Sequence, residues 1–370
     1  MTPHHRPGAP EIATLSGDNN TVEEIGRGAR WGIQMNTLRF RVPPLIPVAV
    51  MVTIAAAGCS SQASTTSLSS LSGPKKTTIK VAALPSADLA GFYVAEDEGL
   101  FAKQGLRVTI ETIASSQAVI AAQLAGRVDI SAGSYIPYIT AQAQGARFHI
   151  LAEASILAPG TRLLLTSRGS HITGIADLVG KRVGVNGTNS IGTLLIGELL
   201  AEHGFAANKV EFITDQGGFP KMPSALQNGT WDAAFLAEPY VTLAEETYGE
   251  KVLADLDQGA ALNFPIDGYV ATHDWMRAHP STAAAFEHAI QQGQAIAESN
   301  RTAVERAMAK SDSLPAGVTA LMALPDFPLG PVDQTRIQRE ATAMLQFGML
   351  GPESASAVRQ GTLVKSMISS

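Results

Sequence analysis

Small hydroxyl and amide side chains gather at the points of this sequence where a strand gives way to a helix. The most marked is Asn186-Gly187-Thr188-Asn189-Ser190, between the strand-like Arg182-Val183-Gly184-Val185 and the apolar Ile191-Gly192-Thr193-Leu194-Leu195. Gly187 is able to take positive φ at no steric cost, and Thr188, Asn189 and Ser190 are all competent helix N-caps. Such a turn aims unpaired backbone N–H groups and the positive end of a helix dipole at one place, which suits an anion without any basic side chain. Turns at 84–88, 114–117 and 133–135 have the same character. Ser115, Ser116, Gln117 and Ser134 are donors suited to ligand oxygens, and Asp88 and Glu238 add carboxylates. Phe92, Tyr93 and Tyr135 supply an apolar or stacking wall. Blander roles stand beside these. Each serine also reads as a plain helix cap, Phe92 as a core residue, and Glu238 as a cap on its own helix dipole or as a partner for a ligand amine or N–H.

Bond-making chemistry has little to work with. The sequence contains no HExxH, CxxC, GxSxG, Walker A or GxGxxG pattern. Ser131-Ala132-Gly133 comes nearest to a nucleophile elbow, but Asp129 stands where that turn needs glycine. His149, His171, His203, His273, His279 and His288 show no metal-ligand spacing, so neither a metal nor a cofactor is expected. A formal net charge of −6 leaves no basic footprint for nucleic acid.

The elements that must position these turns alternate. Strands are expected at 78–84, 106–112, 128–132, 148–152 and 163–166, with helices at 88–103, 115–124 and 136–144 between them. A second block adds strands at 182–185, 209–213, 231–236 and 252–255, and helices opening within 188–190, at 221–227 and at Glu238-Pro239, where Pro239 takes the first helical position. One more strand, 268–272, precedes a helical remainder at 281–300, 303–310, 316–322 and 334–347. This pattern predicts an α/β fold of two lobes, each a mostly parallel sheet flanked by helices. The second block looks closed before residue 268, so that strand is expected to return to the first sheet. Lobe I is then 75–165 with 266–370, lobe II is 166–265, and two crossing strands run near 161–167 and 261–266. Ligands of such sheets bind beyond the carboxyl ends of the strands, which here would surround one cleft.

The beginning of the chain is of a different kind. Residues 1–34 are polar and aperiodic, either disorder or a mis-assigned start. From Met35, Arg39 and Arg41 precede the apolar run 45–57 and then Ala56-Ala57-Gly58-Cys59, the arrangement of a secretory signal over 35–58. Cys59 is the only cysteine, so it forms no internal disulfide. Its setting resembles a bacterial lipobox, which implies lipid attachment at Cys59, with a Ser/Thr-rich linker over 59–74. A plain signal peptide with a chance cysteine is the alternative. The expected location is extracytoplasmic, lipid-anchored to the cell membrane.

Four stretches together resemble the nitrate/sulfonate/taurine and thiamine-precursor (NMT1/THI5-like) group of periplasmic binding proteins. They are Gly91-Phe92-Tyr93-Val94-Ala95-Glu96-Asp97-Glu98-Gly99-Leu100-Phe101, then Ala125-Gly126-Arg127-Val128-Asp129-Ile130, then Gly229-Thr230-Trp231-Asp232-Ala233-Ala234-Phe235-Leu236-Ala237-Glu238-Pro239-Tyr240, and finally 336–350 with Phe347-Gly348-Met349-Leu350. The likeness covers about 78–350. It implies a type II periplasmic binding fold serving an ABC importer, with a small-molecule solute and a membrane permease as partners and a monomer as the working unit. The first expected ligand is a small anion such as a sulfonate, taurine or nitrate. The rival is a thiamine-pyrimidine precursor or another aromatic heterocycle. An enzyme on the same fold is the reading from another class. The fungal pyrimidine synthase of this group uses a cysteine-rich segment, which this chain lacks, and a secretion signal argues against a menaquinone-pathway enzyme, so no enzymatic activity is expected.

Overall fold

The computed structural model describes residues 76–369 apart from 215, 216 and 313. The expected signal, Cys59 and the whole of the linker lie outside the described residues. The described part falls within one compact unit.

Ten strands form two five-stranded sheets. The first sheet has the order β2-β1-β3-β10-β4, from β1 (Thr78–Ala83), β2 (Arg107–Thr112), β3 (Ile130–Ser134), β4 (Phe148–Ile156) and β10 (Pro265–Thr272). The second has the order β7-β6-β8-β5-β9, from β5 (Arg162–Thr166), β6 (Arg182–Val185), β7 (Glu211–Thr214), β8 (Ala233–Ala237) and β9 (Lys251–Asp255). Central strands β3 and β8 are buried along their whole length, as strands covered on both faces must be.

In each sheet one strand opposes its neighbours: β10 is antiparallel to β3 and β4, and β5 to β8 and β9. These are the two strands that arrive from the other sheet. A chain entering at the edge where the other strands end can only run back against them, so the antiparallel strands follow from the two crossings. The expected return of the 268–272 segment to the first sheet is thus observed. One boundary differs: β5, expected to close the first lobe, pairs within the second sheet. The crossings are residues 157–161 and 256–264, and they lie side by side, Leu157 N–H donating to the Phe264 carbonyl at 2.8 Å.

Both sheets are fixed by the same device. Asp129 accepts the backbone N–H of Lys80 at 2.9 Å, the Trp275 indole N–H at 2.9 Å and the Lys76 ammonium at 2.5 Å. Asp232 accepts the backbone N–H of Arg182 at 2.8 Å. Each carboxylate therefore sits just before β3 or β8 and ties it to β1 or β6. Trp231 lies flat on β6, where a Cβ at Gly184 would come within 2.4 Å of its ring. Gly91 and Gly293 let the helices Ala90–Asp97 and Pro280–Ser299 touch, since a Cβ at Gly293 would meet the Gly91 carbonyl oxygen at 2.3 Å.

The helix expected over 88–103 is broken by Gly99 at φ 65° into Ala90–Asp97 and Leu100–Lys103. Pro239 stands before the helix Tyr240–Leu243 rather than at its first position, and its bond to Glu238 is cis. The helix Gln334–Gln346 packs on the helix Tyr135–Ala143 and reaches the second crossing. Arg339 donates to the carbonyls of Ala260 and Leu262 and lies over the Phe264 ring, while Phe347 fills the space beside Gly197.

Candidate functional site

The carboxyl ends of β1, β3, β6 and β8 lead into the turns singled out above, and groups from the two lobes meet there. Gln117, in the first turn of the helix Ser116–Leu124, donates from Nε2 to the Asn189 carbonyl at 2.8 Å. Asn189 in turn donates from Nδ2 to the Thr140 hydroxyl at 3.0 Å. The Ala87 N–H donates to the Glu238 carbonyl at 2.9 Å. Gly187 lies so close to Gln117 that a Cβ would come within 2.7 Å of its amide. Asp88 accepts from the Ser86 hydroxyl, from the Ser155 hydroxyl at 3.3 Å, and from the guanidinium of Arg162 at the start of β5. Both members of that ion pair are buried.

Several expected site residues are spent on the fold itself. Ser115 caps its helix by accepting the Ala118 N–H at 3.3 Å. Ser116 accepts the Ser134 N–H at 3.1 Å and fills the space left by Gly133. Ser190 donates to the Gly187 carbonyl at 2.7 Å, and its N–H is taken by Thr193 at 3.1 Å. Thr188 is exposed. Phe92 is fully buried among Tyr93, Phe101 and Tyr269, and the Tyr93 hydroxyl donates to the Leu84 carbonyl at 2.9 Å. These two rings belong to the core of the first lobe.

Glu238 is also engaged. It accepts the Thr242 N–H at 3.1 Å, the Thr242 hydroxyl at 2.8 Å and the Ala323 N–H at 2.9 Å. Burial raises its carboxyl above the usual value, and those three hydrogen bonds act the other way. The reading of Glu238 as a cap on its own helix accounts for two of the three.

Ser134, Tyr135 and Asn186 differ from the rest. The Ser134 hydroxyl, the Tyr135 hydroxyl and the Asn186 Oδ1 are buried and meet no partner among the described residues. Buried polar atoms are almost always satisfied, so each exception calls for a cause.

Other charged members of this region are not among the residues singled out from the sequence. Arg162 opens a run of leucines, Asp267 follows the apolar Phe264-Pro265-Ile266, and Glu153 lies in the buried stretch of β4. Glu340 shares the buried face of its helix with Ile337, Ala341 and Met344. Charge on an apolar face was the available signal. Arg336 donates to both oxygens of Glu153, at 3.0 and 2.9 Å.

Comparison with known proteins agrees with this fold. The model of the family described as NMT1/THI5 like matches residues 86–302. A curated relative, the 4-amino-5-hydroxymethyl-2-methylpyrimidine phosphate synthase of Uromyces fabae, is 26% identical over 213 residues, covering 54% of this chain and 60% of its own length. The chain thus spans well under two thirds of that relative. Among solved structures, the alkanesulfonate-binding protein SsuA of Xanthomonas axonopodis pv. citri, bound to MOPS, superposes with a TM-score of 0.65 at 16% identity, covering 75% of this chain and 96% of its own. The periplasmic nitrate-binding protein NrtA of Synechocystis PCC 6803 gives a TM-score of 0.66 at 15% identity, covering 81% and 93%. At such identities the likeness shows the periplasmic binding protein fold.

Proposed function

The chain belongs to the NMT1/THI5-like family, and from that premise we propose that it is the extracytoplasmic solute-binding component of an ABC importer. It catches a small molecule between two lobes and delivers it to a membrane permease. The observation that carries this reading is the set of bonds joining the facing strand ends, above all Gln117 to Asn189 and Asp88 to Arg162. Two sheets connected by adjacent crossings can rotate about them, and closure expels water from the gap. Among the described residues no helix is long and apolar enough to cross a membrane. Attachment through lipid on Cys59 is part of the proposal, and Cys59→Ala is expected to release the protein from membranes.

A thermal-shift screen of the purified protein tests solute capture. Sulfonates and nitrate are the first compounds, because solved relatives are described as binding them, followed by pyrimidines and amines. A saturating ligand at about a hundredfold its Kd stabilises by about 2.7 kcal/mol, a readily measured rise in Tm. If no compound raises Tm, the reading fails. The synthase relative favours a second reading, an enzyme acting on a pyrimidine. Incubation with any stabilising compound separates the two, since binding alone returns it unchanged.

A further inference from the structure

The buried carboxyl groups of this region outnumber the guanidinium groups that face them. Asp88 faces Arg162, and Glu153 faces Arg336. Asp267 and Glu340 are left over. Asp267 lies opposite Ser134 of β3 on one side and Ser155 of β4 on the other, and its Oδ2 meets no donor. Glu340 is fully buried and neither of its carboxyl oxygens meets a donor. The charge of Asp267 acts on Glu340, and so does that of Glu198 from the helix Ile191–Glu202 beside the second sheet. The leftover pair therefore sits where the lobes meet.

One neutral group, the Tyr135 hydroxyl, points to the same place. The Tyr135 ring packs against bare backbone, where a Cβ at Gly268 would come within 2.5 Å of its hydroxyl. That hydroxyl has no partner and stands in the field of Glu153, Glu340 and Asp267. Asn186 brings an unpartnered Oδ1 from the second lobe. Among these atoms, acceptors without donors outnumber donors without acceptors. The Arg162 Nε is an unpartnered donor, but its charge already faces Asp88.

We propose that the leftover acceptors are the recognition groups of the cleft. The solute presents a positively charged, N–H-rich group, such as an alkylammonium, amidinium or guanidinium, to Asp267 and Glu340, with Tyr135 and Asn186 as secondary contacts. The inference rests on the solute-capture reading and assigns the charge class of its ligand. Burial and neighbouring negative charge push both acids toward the protonated form, and at Asp267 the Arg162 guanidinium acts the other way. An arriving cation reverses that tendency, whereas a sulfonate or nitrate adds a like charge in a low-dielectric gap.

Calorimetric titration of the purified full chain with agmatine, 1,4-diaminobutane, benzamidine, ethanesulfonate and nitrate tests the assignment, with Asp267→Asn and Glu340→Gln as variants. At least one cationic probe is expected to bind, and each variant to weaken it by about tenfold or more. Without ligand both variants are expected to melt no lower than the parent, because each removes an unpartnered buried carboxyl. Anion binding that is kept or strengthened by Asp267→Asn overturns the charge class and leaves solute capture standing. Cation binding indifferent to both substitutions also overturns it. If none of the five compounds binds, the charge class and solute capture both lose their support.

Discussion

The two lobes fix their sheets alike and differ where they face each other. Asp129 in the first and Asp232 in the second each tie a central strand to its neighbour through one backbone N–H, at 2.9 and 2.8 Å. At the cleft the second lobe offers the turn 186–190, whose Ser190 and Asn189 are already bonded to Gly187 and Thr140. The first lobe and the helix Gln334–Gln346 offer the Asp267 Oδ2, the Tyr135 hydroxyl and both Glu340 oxygens, which meet no partner among the described residues. In the turn 186–190 the Ser190 hydroxyl is satisfied from within and the Asn189 amide by Thr140, and the Asn186 Oδ1 is left without a partner among the described residues. A carboxyl buried without a donor costs free energy in the empty protein, and ligand binding is where that cost is recovered.

Substitutions can break this comparison at each side. The largest effect is expected for Asp88→Ala, which leaves the Arg162 guanidinium buried without its partner. A loss of about 3–5 kcal/mol is expected in denaturant unfolding. An unchanged midpoint would mean that the pair is hydrated rather than buried. On the unmatched side the sign reverses: Glu340→Gln is expected to stabilise the ligand-free protein by about 1–3 kcal/mol. Destabilisation would show that Glu340 has a donor after all.

Smaller effects sharpen the picture. Gln117→Ala removes the Nε2 bond to the Asn189 carbonyl and is expected to weaken the closed form by about 0.5–1.5 kcal/mol. Small-angle scattering should then report a larger radius of gyration, and an identical profile would deny Gln117 a part in closure. A pH-dependent effect is expected from Glu250, at the far end of the second lobe, whose burial lifts its carboxyl from 4.5 to about 8. The folded form keeps this proton in a range where the unfolded chain has lost it. Stability therefore falls as pH rises through that window, and the penalty is absent below it. Glu198, raised to about 7, adds the same sign. Glu250→Gln should flatten the fall without altering ligand affinity, and an unchanged slope would place the penalty elsewhere.

Much of the fold was legible because strand and helix periods alternate so plainly. The return of 268–272 to the first sheet followed from the second block being complete. The motifs that carried the family likeness turned out to be scaffold. Asp129, Asp232, Trp231 and Gly91 lock register or let helices touch, tasks that fix residue types along the chain. The cleft was less legible. Side-chain type alone cannot tell a serine that caps its helix from one that meets a ligand, and Ser115 is the former. Asp267 and Glu340 were hidden because each sits in an element read for its apolar residues. Whether a buried carboxyl is matched depends on pairings such as Glu153 with Arg336, 183 residues apart.

The most direct test of the account is a crystal structure of the protein with the compound that raises its Tm most. The account predicts that compound between the two sheets, with a nitrogen within hydrogen-bond distance of Asp267 or Glu340. A ligand bound outside the gap, or one held by an anionic group against the turn 186–190 with neither carboxyl in contact, would contradict it.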